Sequence, residues 1–164
     1  MIFMVCGTQK FPLNRMLEQM DRLVEAGIVT QEVFAQTGYS DYEPKHYRWS
    51  RFLDGEEFEE KIKSCTLLLT HSGVGTILTG KDYGKPVLVY PRSGKYGEHV
   101  DDHQWQIARE FREREYVLVC EDASEMGEKI RLCETFAFRQ LHPGHNVQVD
   151  VIRDFLQTKQ PVRG

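Results

Sequence analysis

The sequence predicts an α/β fold with an open, mostly parallel sheet and helices on both of its faces. Three observations carry that prediction. Residues 2–6, 67–70 and 86–90 are short, unbroken apolar runs, the pattern of strands buried on both sides. Between such runs lie longer segments whose apolar residues recur at helical spacing, so that strand and helix alternate. The glycine-bearing turn at residues 71–76 leads from one buried run into a helix and then into the next run, a strand–turn–helix–strand unit.

Taken in order, residues 2–6 form the first strand and Gly7-Thr8-Gln9-Lys10 the turn out of it. A helix is predicted over residues 12–27, with Pro12 suited to its first turn and Gly27 to its stop. Leu13, Met16, Leu17, Met20, Leu23 and Val24 make its core face, and its methionines are packing residues. Residues 32–36 form a second strand, and a tyrosine-rich loop over 37–44 leads to a shorter third strand within 47–53. Phe58 and Ile62 lie on an amphipathic helix that leads into the central strand. After the central unit, residues 101–114 form a helix with Trp105, Ile107, Ala108 and Phe111 inward, and residues 116–119 another strand. A helix over 124–136 follows, with Ser124 as its N-cap and Ile130 and Leu132 buried. His142-Pro143-Gly144-His145 breaks the chain before a last helix over about 149–157, on which Val151, Ile152, Phe155 and Leu156 form an apolar stripe.

Bulk properties narrow the function. The 164 residues correspond to a single domain with room for a sizeable core. A net charge of -4 gives no support for a nucleic-acid partner. No apolar run approaches the roughly 20 residues of a spanning helix, and residues 1–6 lack the basic flank of a signal peptide. The expected location is therefore the cytoplasm. Cys6, Cys65, Cys120 and Cys133 show no paired spacing and sit in or beside apolar runs, as buried free thiols do.

The chemistry gathers between residues 67 and 104. Gly73 and Gly75 let backbone approach a bound group closely, and the helix behind them offers unpaired N–H groups with positive partial charge. His71, Ser72 and Thr76 add donors, so an anion fits there, a phosphate above all; the same residues also suit a plain capped turn. The polar loop 92–104 leaves the carboxyl end of a buried strand, where open α/β sheets bind ligands. In it Arg92 and Lys95 would neutralise phosphate, and Asp101, Asp102 and Gln104 would read hydroxyl groups. Glu98 and His99 complete that candidate set. A phosphate site beside a hydroxyl-reading site points to a nucleotide sugar. His99 and His103, four apart on one helix face, match a metal spacing, but Asp101 and Asp102 beside them serve a helix start equally well, and no metal is expected.

His71-Ser72-Gly73-Val74-Gly75-Thr76, then Gly84-Lys85-Pro86, Pro91 and Asp102-His103-Gln104, resemble the donor-binding signature of GT-B glycosyltransferases. The order is similar to the C-terminal half of the bacterial transferase that adds N-acetylglucosamine to lipid-linked muramyl pentapeptide. It is closer to a family of free-standing C-terminal halves. These include the soluble subunit of the dolichol-linked N-acetylglucosaminyltransferase and subunits of two-component bacterial capsular and exopolysaccharide transferases. Gly7-Thr8 with Phe11-Pro12 favours the bacterial type. The resemblance implies one Rossmann-like domain over residues 1–164 that binds a UDP-sugar as donor substrate, with no further cofactor. It implies transfer of a hexose, hexuronic acid or N-acetylhexosamine to a lipid-linked sugar acceptor in polysaccharide biosynthesis. It also places Gly7 and Thr8 at the cleft, and Phe52 where related transferases hold the uracil, although the residues themselves favour core packing for Phe52.

One position departs from the family pattern. Where related transferases carry a carboxylate that grips the ribose, this chain has Thr79, a weaker partner for a hydroxyl. An inverting transferase also needs a general base, which GT-B enzymes take largely from the other half, so a membrane-associated, acceptor-binding partner subunit is expected to recruit this chain to the inner face of the membrane. Two other classes stay open. A sugar-nucleotide sensor would keep the donor site without an acceptor partner. A dinucleotide oxidoreductase would want a GxGxxG turn after the first strand, which Gly7-Thr8-Gln9-Lys10 is not.

Overall fold

The computed structural model describes residues 1–98 and 103–140. Among them, six strands form one parallel sheet in the order β3-β2-β1-β4-β5-β6. The strands are β1 Ile2–Val5, β2 Val33–Gln36, β3 Arg48–Ser50, β4 Leu67–Thr70, β5 Val87–Val89 and β6 Leu118–Val119. The helices are α1 Asn14–Glu25, α2 Gly55–Ser64, α3 Val74–Asp82, α4 His103–Glu113 and α5 Met126–Cys133. This is the single α/β, Rossmann-like domain the sequence predicts.

Alternation along β1 separates two cores. Ile2 and Met4 face α1 and α5, joining Met16, Leu17, Met20 and Ile130. Phe3 and Val5 face the other way, joining Ile62 of α2, Ile77 of α3 and Ala108 and Phe111 of α4. Because both faces are covered there, β1, β4 and β5 read as nearly continuous apolar runs, whereas β3 at the sheet edge reads Arg48-Trp49-Ser50. Register is fixed by the same burial, with β1 paired to β2 at Ile2↔Val33 and to β4 at Ile2↔Leu67. All four cysteines are buried and free, as expected.

The strand order reverses between β1 and β4, and at such a switch point the connections leave on opposite faces and open a crevice at the carboxyl ends. Two local devices shape its rim. Asp54 caps α2, accepting from Glu57 N at 2.8 Å while the Glu57 carboxylate accepts from Asp54 N, a reciprocal pair that was readable in Asp54-Gly55-Glu56-Glu57. Asp21, buried on α1, pins the loop after β2 by accepting from Tyr42 Oη at 2.5 Å, Lys45 N at 3.0 Å and His46 N at 2.8 Å. Burial alone would raise its pKa, but these hydrogen bonds hold the carboxyl below the usual range.

Several expected elements differ in detail. The fifth helix is preceded by a 3-10 turn at Ala123–Glu125, and it is Asp122, not Ser124, that caps: its carboxylate accepts from the Ser124 backbone N–H at 2.9 Å. Leu132 is 42% exposed because α5 is only eight residues long and rests on the sheet through Met126, Ile130 and Cys133. Trp105 and Ile107 are only partly buried on α4. The last helix expected over 149–157 lies outside the described residues.

Candidate active site

A groove of about 440 Å³ lies at the carboxyl ends of β1, β2 and β4. Its walls come from Gly7, Thr8 and Gln9 after β1, from Leu53, Asp54 and Phe58 around the start of α2, and from His71, Gly73, Gly75 and Thr76 at the start of α3. The switch point thus brings together two glycine turns 66 residues apart in the chain (Gly7 and Gly73).

The start of α3 has no side-chain cap, so the backbone N–H groups of Val74, Gly75 and Thr76 have no partner within the helix. The first of the helix's own bonds is Ile77 N to Gly73 O, 3.1 Å. Such a terminus favours an anion through both its donors and its dipole. Two glycines make room for an imidazole beside it. A Cβ on Gly7 would come within 2.5 Å of His71 Nε2, and one on Gly73 within 2.4 Å of His71 Cε1. Gly7 also has φ +82°, a conformation that other residues adopt only with strain. Gly75 is different, since a Cβ there would meet nothing within 4 Å and would project into open space. Ser72 is buried, and its Oγ has no partner among the described residues.

The loop after β5 takes a different place from the one its composition suggests. Arg92 is 1% exposed and does not line the groove. Its guanidinium donates to the carbonyls of Phe11 at 2.7 Å, Pro12 at 3.1 Å and Glu98 at 3.3 Å, and also to that of Cys6. Instead of neutralising a phosphate, it staples the loop after β5 to the loop after β1. Burial pushes its pKa down from the ordinary arginine value. Glu98 is likewise structural, accepting both N–H arms of Arg15 at 2.7 Å and the Ser93 N–H at 2.9 Å. Arg15 lies over the Tyr96 ring, 4.0 Å from its centroid, and donates to Tyr90 Oη at 2.9 Å. Sequence reading missed Arg15, because nothing local marks a helix arginine as the partner of a carboxylate 83 residues away.

Gln104 is also drawn inward. Its Oε1 accepts the Arg92 backbone N–H at 3.0 Å, and its Nε2 lies 3.4 Å from His71 Nδ1. Each end of its amide thus has a partner inside the protein. Thr79 donates its hydroxyl to Gly75 O at 2.8 Å, leaving only acceptor capacity for a ribose. Phe52 is not a core residue: it is 46% exposed and packs edge-on against Tyr39 with ring centroids 5.3 Å apart. It stays outside because β3 is an edge strand that ends at Ser50. Lys95 is exposed on a 3-10 turn at Gly94–Tyr96. His99, Asp101 and Asp102 lie outside the described residues. Among those described, no three His, Cys, Asp or Glu side chains are placed to hold a metal ion, and no helix is long and apolar enough to cross a membrane. Gln9, Gln36, Asp54 and Phe58 line the groove although the sequence did not single them out as site residues; strand-end position marked Gln9 and Gln36, and the capping pair with Glu57 marked Asp54.

The profile of the glycosyltransferase family 28 C-terminal domain matches residues 1–157. The chain belongs to that family. Solved structures similar to this family 28 domain agree on the fold. The NMR solution structure of ALG13 is 17% identical, with a TM-score of 0.59, and the match covers 92% of this chain and 93% of that one. The spinosyn forosaminyltransferase SpnP is 18% identical, with a TM-score of 0.58 over 98% of this chain and 40% of its own. The glycotransferase of kitacinnamycin is 15% identical, with a TM-score of 0.61 over 96% of this chain and 39% of its own. The chain thus spans nearly all of the first and about two-fifths of the other two. No curated protein sequence gives a significant match. By family, the groove belongs to a sugar-nucleotide-binding glycosyltransferase domain.

Proposed function

We propose that this chain is the donor-binding part of a two-component glycosyltransferase and that its groove takes a UDP-sugar. The observation that carries the reading is the uncapped start of α3, which opens into the groove between His71 and Thr76. In this reading the diphosphate sits on the Val74, Gly75 and Thr76 N–H groups, with His71, Ser72 and Thr76 as further donors. The helix dipole and these donors offset the leaving charge, so no metal or other cofactor is required. The nucleoside lies towards Leu53, where the exposed Phe52 and Tyr39 offer an aromatic face for the base. For the sugar, the sequence of the loop after β5 offers Lys95, His99, Asp101 and Asp102 as the candidate partners.

Family membership supports transfer chemistry, and the general base and acceptor are assigned to a partner. That partner is a membrane-associated subunit carrying a lipid-linked sugar, as in capsular or exopolysaccharide synthesis, and it holds this chain at the inner face of the membrane. The near-complete overlap with the solution structure of ALG13 supports a domain of this size folding as a unit. A sensor that binds the nucleotide sugar without transferring it is the alternative; reconstituted transfer with the partner separates the two.

The direct test is calorimetric titration of UDP into wild type and Gly75→Phe. A Cβ at Gly75 meets no protein atom within 4 Å, and the substitution removes a helix glycine beside the groove, so the fold should be kept. UDP binding is expected to fall at least a hundredfold with an unchanged circular dichroism spectrum. Unchanged affinity would move the nucleotide elsewhere.

A further inference from the structure

The buried chain from Arg92 through Gln104 to His71 carries more information than its distances. A backbone N–H can only donate, so the Gln104 atom 3.0 Å from Arg92 N is the amide oxygen. The other end of the amide, which faces His71 Nδ1 at 3.4 Å, is then the NH2 group, again a donor. Two donors cannot share a hydrogen bond, so Nδ1 must present its lone pair. A neutral imidazole with a bare Nδ1 carries its proton on Nε2.

The groups on either side of the Gln104 amide are held by contacts of their own. The Arg92 backbone is anchored by its own buried guanidinium on the carbonyls of Cys6, Phe11, Pro12 and Glu98. The imidazole is walled by Gly7 and Gly73, whose absent Cβ atoms would stand 2.5 Å and 2.7 Å from Nε2. Both glycines line the groove, so Nε2 is the ring nitrogen on the groove side.

We infer that Gln104 is a positioning residue: it holds His71 in the neutral Nε2–H tautomer and so makes the ring a fixed hydrogen-bond donor at the groove. The opposite tautomer would turn a lone pair towards the groove and repel an anion seated at the start of α3. The ligand half of this statement rests on the proposed nucleotide site, while the tautomer half does not. This role also accounts for an amide at a buried helix position, where an apolar residue would otherwise serve.

Long-range 1H–15N NMR of the 15N-labelled full chain without ligand reads the tautomer directly, with His71→Asn used to assign the ring signals. The expected pattern is that of Nε2–H. An Nδ1–H pattern, an imidazolium, or an average of both tautomers at neutral pH would overturn the inference without touching the nucleotide reading. In Gln104→Glu the carboxylate accepts from Arg92 N–H and from Nδ1, so the proton should move to Nδ1 or the ring become doubly protonated. An unchanged pattern in that variant would show that Gln104 is not what selects the tautomer. Gln104→Met removes the donor without adding charge; UDP should then bind about tenfold more weakly, and equal binding would overturn the donor role. If wild type binds no UDP while His71 shows the Nε2–H pattern, the nucleotide assignment fails and the tautomer lock stands.

Discussion

At the scale of single residues, the site turns on what each glycine leaves empty. Gly73 and Gly75 belong to one turn and look alike in the sequence, yet they do opposite things. Gly73 yields its side-chain volume to the His71 ring, and Gly75, which lines the groove, leaves its own as open space. Gly73→Ala should therefore destabilise the fold by about 1–3 kcal/mol, the usual cost of overpacking a filled site, read as a lower urea midpoint at constant slope. Gly75→Ala should leave the midpoint unchanged or raise it by about the helix-propensity difference, up to ~1 kcal/mol. Equal losses at the two positions would contradict the assignment of room at the start of α3. Arg92 teaches a related lesson. A cation in a polar loop looked like a phosphate ligand, but four carbonyls inside the protein accept from its two terminal guanidinium nitrogens. Composition can tell that a charge is present and not which way it faces.

At the scale of elements, the groove depends on two helix starts with contrasting ends. α2 has a complete capping box, and α3 has no side-chain cap. A capped terminus has satisfied its own donors, while an uncapped one keeps them for a ligand. Asp54→Ala removes the cap from α2 and is expected to cost about 1 kcal/mol of stability, seen in urea unfolding. Added UDP should then stabilise wild type and the variant by similar increments, because Asp54 is committed to its own helix. A variant that loses its response to UDP would give Asp54 a direct part in binding. Both the turn and the capping box were legible from residue type and spacing. The apolar pair Phe58 and Ile62 marks the helix but not its first residue, which Asp54 and Glu57 define.

At the scale of the whole molecule, the two-sided sheet buries groups that ionise at high pH. Burial pushes the Cys6, Cys120 and Cys133 thiols up to about 12 from an ordinary 9.0. Their folded pKa values are raised, so the stability tied to the neutral thiols is fully present below pH 9. It is lost as pH rises from about 9 through about 12, where the unfolded chain gives up these protons first. The urea midpoint should fall over that window, and Cys6→Ala or Cys133→Ala should each flatten the fall. A midpoint that is level from pH 8 to 11 would place these thiols in contact with solvent. At neutral pH the same burial should leave all four cysteines slow to react with alkylating reagents until the protein unfolds.

What the sequence determined by itself was the part of the structure governed by local pattern. Unbroken apolar runs specified strands with two covered faces, helical spacing specified the core side of α1, and the strand–glycine turn–helix unit marked the helix start that opens into the groove. β4 was placed to the residue, since an apolar run closed by a glycine turn has few other ways to bury itself. Only the tertiary structure decided which polar groups face the groove. Arg92, Glu98 and Gln104 became framework chiefly through distant partners: Phe11, Pro12 and Cys6 for Arg92, each at least 80 residues away, Arg15 at 83 for Glu98, and His71 at 33 for Gln104; Phe52 became surface through the edge position of β3. The reason is physical. Burying an apolar side chain gains free energy in any direction, so its pattern survives in one dimension, whereas a buried polar group is tolerated only where a specific partner completes its hydrogen bonds, and the fold alone supplies that partner.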